Sequence, residues 1–191
     1  MKLFLVRHGQ TYANLDKIYA GQKDVELTDK GRKEAEGIRP ILANFKFDRV
    51  YSSDLCRAVE TQKLALPEYE AIQTPLIREY DMGSLVGMGF QQAVETYGVG
   101  FTLTRDYTQF GGENSKMVCD RIKEFTDMLV ADPCDYVIAF AHNGIMSGML
   151  ENVIGSEFDR TAVKSHNCSI HVYEHDGYKW RLLAWNYMGK L

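Results

Sequence analysis

Two unbroken apolar runs, each ended by a histidine, constrain the fold of this chain more than any other feature. Leu3-Phe4-Leu5-Val6 gives way to Arg7-His8-Gly9, and Tyr136-Val137-Ile138-Ala139-Phe140-Ala141 gives way to His142-Asn143-Gly144. A strand with one wet face alternates polar and apolar residues, whereas a continuous apolar run suits a strand covered on both faces, as in a parallel sheet between helices. Arg49-Val50-Tyr51 is a shorter third run.

Helical spacing fills the intervals. In Thr28 to Phe45, residues Ala35, Ile38, Leu42 and Phe45 share one helical face, with Thr28 as N-cap and Asp29 favourable in the first turn. Val118, Ile122, Phe125 and Leu129 repeat the spacing, and Ser53 to Leu66 and Gly144 to Ile154 read as two further helices. Alternating strands and helices predict an α/β domain: three layers, doubly wound, with a mostly parallel sheet flanked by helices. Ile170 to Tyr173 and Trp180 to Trp185 read as two late strands. The segment 83–112 is different, with glycines interspersed with Phe90, Tyr97, Phe101, Tyr107 and Phe110. That mixture predicts an irregular insertion over a site, with a short helix from Gln91 to Tyr97. Residues 1–191 read as one domain, with no linker or repeat.

Composition narrows the partners. A net charge of −4 and a pI near 5.7 argue against nucleic acid, which calls for a basic face. A small anion remains compatible, because a local arginine cluster can be positive inside an acidic protein. No stretch is long and apolar enough to span a membrane, and the apolar start of the chain is too short for a signal core. Cys56, Cys119, Cys134 and Cys168 are scattered without a CxxC pair, and with no signal they read as reduced thiols of a cytoplasmic protein.

Arg7, His8 and His142 follow two of the predicted strands directly, and Arg57 lies early in the helix that follows the third. Open α/β sheets place their ligands at the carboxyl ends of strands, where helix N-termini favour anions. Two arginines and two histidines brought together there describe a phosphate pocket. An imidazole can attack phosphorus and split hydrolysis into two easier steps, while arginines spread positive charge over the moving phosphoryl oxygens. Taken singly, these residues have plainer readings: Arg7-His8 as a charged strand end, Arg57 as a helix-surface arginine. Asn143 reads either as a site residue or as an N-cap for the helix from Gly144. His171 and His175 fall on one strand face without a third ligand, so they read as a solvated face; no metal and no cofactor is expected.

The ordered set resembles the histidine phosphatase superfamily, which includes cofactor-dependent phosphoglycerate mutase. The likeness lies in Leu5-Val6-Arg7-His8-Gly9-Gln10-Thr11 with Asn14, then Gly21, and Tyr51-Ser52-Ser53-Asp54-Leu55-Cys56-Arg57-Ala58. It continues through Arg78-Glu79, Gly112-Glu113 with Arg121, Ala141-His142-Asn143-Gly144 and Asn167-Cys168-Ser169. The resemblance implies that His8 is the phosphate acceptor, that Arg7, Arg57 and His142 hold the phosphoryl oxygens, and that Asn14 and Gly21 contact substrate. The role of Glu79 as proton donor to the leaving group comes from the resemblance alone. Gly83-Ser84-Leu85-Val86-Gly87, Ala20 and Asn114 depart from the commonest family patterns and lie toward the substrate's other end.

The expected function is therefore a phosphomonoesterase acting on a small-molecule phosphate ester. A mutase-type isomerase is the alternative, and a non-catalytic phospholigand binder a third. A mutase must hold a second anionic group, yet Arg105 is the only basic residue between Gly83 and Gly112. A pure binder needs neither nucleophile nor acid. The sequence leaves the oligomeric state open.

Overall fold

The computed structural model describes residues 1–155 and 163–188. The chain runs β1 (Lys2–Arg7), α1 (Tyr12–Leu15), α2 (Asp29–Gly37), α3 (Arg39–Leu42), β2 (Arg49–Ser53), α4 (Cys56–Ala65) and β3 (Ile72–Thr74). It continues with α5 (Phe90–Tyr97), α6 (Val99–Thr104), α7 (Ser115–Ala131), β4 (Tyr136–Ala141), α8 (Asn143–Ile154), β5 (Ile170–His175) and β6 (Trp180–Tyr187). Single 3-10 turns occur at Pro75–Ile77, Gly83–Leu85 and Thr108–Phe110.

The strands form one mixed sheet in the order β3-β2-β4-β1-β5-β6. β1 and β4, the two apolar runs, pair in parallel at its centre, with Leu3 opposite Val137 and Arg7 opposite Ala141. β2 is parallel to β4 and β3, whereas β5 is antiparallel to β1 and β6. Helices cover both faces, as the unbroken apolarity required. Leu3 and Leu5 point into one core with Val137, Ala139, Phe125 and Ile145. Phe4 and Val6 point into the other with Ile138, Phe140, Leu42 and Leu66. The parallel register also brings the ends of β1 and β4 level, so their histidines emerge side by side.

Several local expectations change. The helix expected from Thr28 to Phe45 divides at Ile38 into α2 and α3, because Pro40 lacks an N–H and restricts the residue before it. Thr28 does cap α2, its side chain accepting from the Gly31 amide. Phe45 falls beyond both helices and packs its ring on Phe4, with centroids 4.8 Å apart. Ser53 ends β2, so the next helix starts at Cys56. The three-residue edge strand β3 and the helix α6 carry no period long enough to read.

Candidate active site

The carboxyl end of β1 delivers Arg7 and His8, and the end of β4 delivers His142. Arg57 comes from the first turn of α4. A cavity of about 440 Å³ opens here, lined by Arg7, His8, Asn14, Gly21, Arg57, Glu79 and Asn143. His142 stands behind that wall, fully buried, with its ring 5.1 Å from that of His8. The structure therefore brings all eight expected site residues into one place.

Hydrogen bonds set the two histidines in opposite tautomers. The Gly9 carbonyl can only accept, so His8 Nδ1, 2.8 Å away, carries the proton and donates to it. His8 Nε2 then bears a lone pair. Arg57 Nε can only donate, so His142 Nδ1, 3.2 Å away, accepts from it. His142 Nε2 therefore carries a proton, and this buried N–H has no acceptor among the described residues. Burial, reinforced by Arg57 and Arg7, pushes His8 well below the usual histidine range, and His142 is displaced the same way by burial, Arg57 and His8. Both rings are neutral at physiological pH: one is a base or nucleophile, the other a donor.

The arginines are held from behind. Arg57 is 2% exposed, and its Nη1 and Nη2 donate to the carbonyls of Lys23 (2.9 Å) and Gly21 (2.8 Å). Gly21 adopts φ +51°, and a Cβ there would stand 3.2 Å from that of Met82, so a side chain would be both strained and crowded. Arg7 Nη1 donates to the Ser165 carbonyl, while its buried Nε has no partner among the described residues. Burial lowers both arginine pKa values, but a guanidinium remains charged. Asn14 Oδ1 accepts from Thr11 N and Asn167 Nδ2, both at 3.2 Å, which fixes its amide at the cavity edge.

Glu79 lies just past the Pro75–Ile77 turn. Its Oε1 accepts from Tyr80 N at 2.9 Å and Gly144 N at 3.1 Å. Arg121 pairs with Glu113 at 2.8 Å and donates to the carbonyls of Leu76, Arg78 and Glu79, tying the Glu79 loop to α7. Asn143 is not an N-cap: it is the first residue of α8, His142 occupies the cap position, and no side chain caps the helix.

Sequence reasoning missed three contributions. The aromatic wall of Tyr19, Phe90 and Tyr107 joins Arg105 along the cavity; the loop signal gave Phe90 and Tyr107 as part of a cover, but nothing in the sequence pointed to Tyr19, which lies outside that segment. Asn167 donates to the His8 carbonyl at 3.0 Å as well as to Asn14. The solvated face expected for His171 is wrong. That residue is fully buried, with Nε2 3.0 Å from Ser165 Oγ and the Trp185 ring 4.1 Å away between centroids. Burial takes its pKa down to about 3. His175 lies further along the strand and is only half-buried.

The histidine phosphatase superfamily (branch 1) matches residues 3–188. A 2,3-bisphosphoglycerate-dependent phosphoglycerate mutase of Cytophaga hutchinsonii is 34% identical over 128 residues, covering 63% of this chain and 60% of the mutase. An adenosylcobalamin/alpha-ribazole phosphatase of Salmonella typhimurium is 29% identical over 161 residues, 81% of this chain and 80% of that one. A mycobacterial glucosyl-3-phosphoglycerate phosphatase, solved in complex with VO3, superposes with a TM-score of 0.86 at 26% identity, covering 97% of this chain and 98% of the other.

Proposed function

The chain belongs to the histidine phosphatase superfamily, branch 1, and from that premise we propose that it is a phosphomonoesterase working through a phosphohistidine at His8. The observation that carries this reading is the pair of opposed tautomers: an imidazole lone pair on His8 beside a buried, unpartnered N–H on His142. His8 lines the cavity with Arg7 and Arg57, and His142 stands directly behind it, its ring 5.1 Å from that of His8. The relative solved with VO3 is a phosphatase of the same fold, which supports reading this floor as an oxyanion site.

In the first step His8 Nε2 attacks phosphorus and the bond to the ester oxygen breaks. Arg7, Arg57 and the His142 Nε2–H take up the charge on the phosphoryl oxygens. Glu79 gives its proton to the departing alkoxide. In the second step Glu79 accepts a proton from water as its oxygen attacks the phosphohistidine, freeing inorganic phosphate and restoring His8. The substrate is a small-molecule phosphate ester, as the phosphatase relatives suggest.

Hydrolysis is favoured over isomerisation because the insertion contributes a single cation, Arg105, to the cavity wall. A mutase must hold its substrate's second anionic group through the whole return of the phosphoryl group, which calls for several basic residues over the site; a single cation can recognise such a group without retaining it. The test is to supply 3-phosphoglycerate with a bisphosphoglycerate primer and follow phosphate release and the 2-isomer together. Release is expected to dominate, and isomerisation outpacing it would establish the mutase.

A further inference from the structure

Arg105 is used by nothing the proposed reaction requires. It ends α6 in the left-handed region (φ +48°). It makes no hydrogen bond or ion pair among the described residues, although it is half-buried. It lines the main cavity and also a second hollow of about 290 Å³. The two hollows meet at Arg7, Arg105 and Asn143. Beyond that junction the second hollow is walled by Ser147, Lys164 and Trp185, and the Trp185 indole N–H fastens the Lys164 carbonyl at 2.8 Å.

Charge balance gives this arrangement a meaning. A phosphate monoester is close to a dianion at neutral pH, and Arg7 with Arg57 matches that charge. Both histidines beside them are neutral. Among the described lining residues of either hollow the only acid is Glu79, which serves the leaving group. Arg105 is thus an unmatched cation beyond the phosphoryl site, with Lys164 further along the same path. A half-buried charge without a partner costs folding free energy, which a ligand of opposite charge recovers.

Resting on the phosphatase reading of the main cavity, we propose that the second hollow is an anion subsite, and that the natural substrate is a phosphate ester whose alcohol carries a second anionic group met by Arg105. A carboxylate and a second phosphate share the required chemistry.

Binding of non-hydrolysable phosphonates tests this without turnover, so failure of hydrolysis and failure of the subsite remain separate results. Dissociation constants are measured by calorimetry for propylphosphonate, 3-phosphonopropanoate and propane-1,3-diyl bisphosphonate. One of the two doubly anionic ligands should bind about 10- to 100-fold tighter than propylphosphonate, the worth of one charge-assisted hydrogen bond. Which one it is identifies carboxylate or phosphate as the second group. In Arg105→Gln that preference should shrink to within about threefold of unity. A wild-type protein that binds all three alike overturns the proposal. So does an Arg105→Gln protein that loses affinity for all three in step, since Arg105 would then belong to the phosphoryl site itself.

Discussion

Glu79 shows what a single side chain can reveal and what it hides. A phosphate ester of an alkyl alcohol departs as an alkoxide, which leaves poorly unless it receives a proton, whereas nitrophenolate leaves well without one. Proton donation by a placed acid is worth about 10²–10⁴ in rate. Glu79→Gln is therefore expected to lose about that factor on an alkyl phosphate and far less on p-nitrophenyl phosphate, as measured by kcat/KM on both substrates. Equal losses on both would remove Glu79 from the acid role. Arg7, His8, Arg57 and His142 were legible from sequence because each sits at the end of a strand or the start of a helix, where periodicity marks the boundary. Glu79 sits in a loop with no period, so only resemblance indicates it. His171 was misread for a related reason. Alternation along β5 marks which face a residue takes, but not that Trp185 of β6 closes over that face.

Among the elements, α8 does the most for the site. Its first turn presents the Gly144 amide to the Glu79 carboxylate, at 3.1 and 3.2 Å to the two oxygens. A Cβ on Gly144 would lie 2.0 Å from Glu79 Oε1 and 2.5 Å from the buried Tyr80 ring. The ring cannot retreat into a filled core, so the carboxylate must move. Gly144→Ala is expected to show the selectivity of Glu79→Gln, with alkyl phosphates suffering most, and to lower stability by about 1–3 kcal/mol as overpacking does. Urea denaturation beside the two-substrate assay checks both; a variant with native kinetics would show that Glu79 is not held by this contact. The helices that sequence placed well are those with a long amphipathic face, such as α7. α6 was missed because Gly98 precedes it and Gly100 falls in its first turn, in a setting that otherwise reads as loop. The division of α2 from α3 was readable in principle from Pro40, but the apolar period ran straight through it.

For the whole molecule, the sheet was legible because burial on both faces erases alternation, and the central β1 and β4 are the strands that lack it. The antiparallel turn at β5 was not, since strand direction depends on the connection rather than on composition. Burial of neutral histidines also sets a response to acid. His171 has a pKa of about 3 in the fold, against roughly 6.5 unfolded. Between those values the unfolded chain takes up a proton that the folded one refuses. Stability is thus lost as pH falls from about 6.5 toward 3, at up to about 1.4 kcal/mol per pH unit for this residue. His8 and His142 act in the same direction. Denaturation midpoints from pH 7 to 4 should show that slope, reduced in His171→Gln; identical slopes in the two proteins would contradict the assignment. The central claim is that His8 carries the phosphoryl group, and rapid quench with ³²P-labelled substrate tests it most directly. An acid-labile, base-stable phosphoprotein is expected within the first turnover and absent from His8→Ala. Undiminished turnover by His8→Ala, or no label on the wild-type protein while phosphate is released, would contradict it.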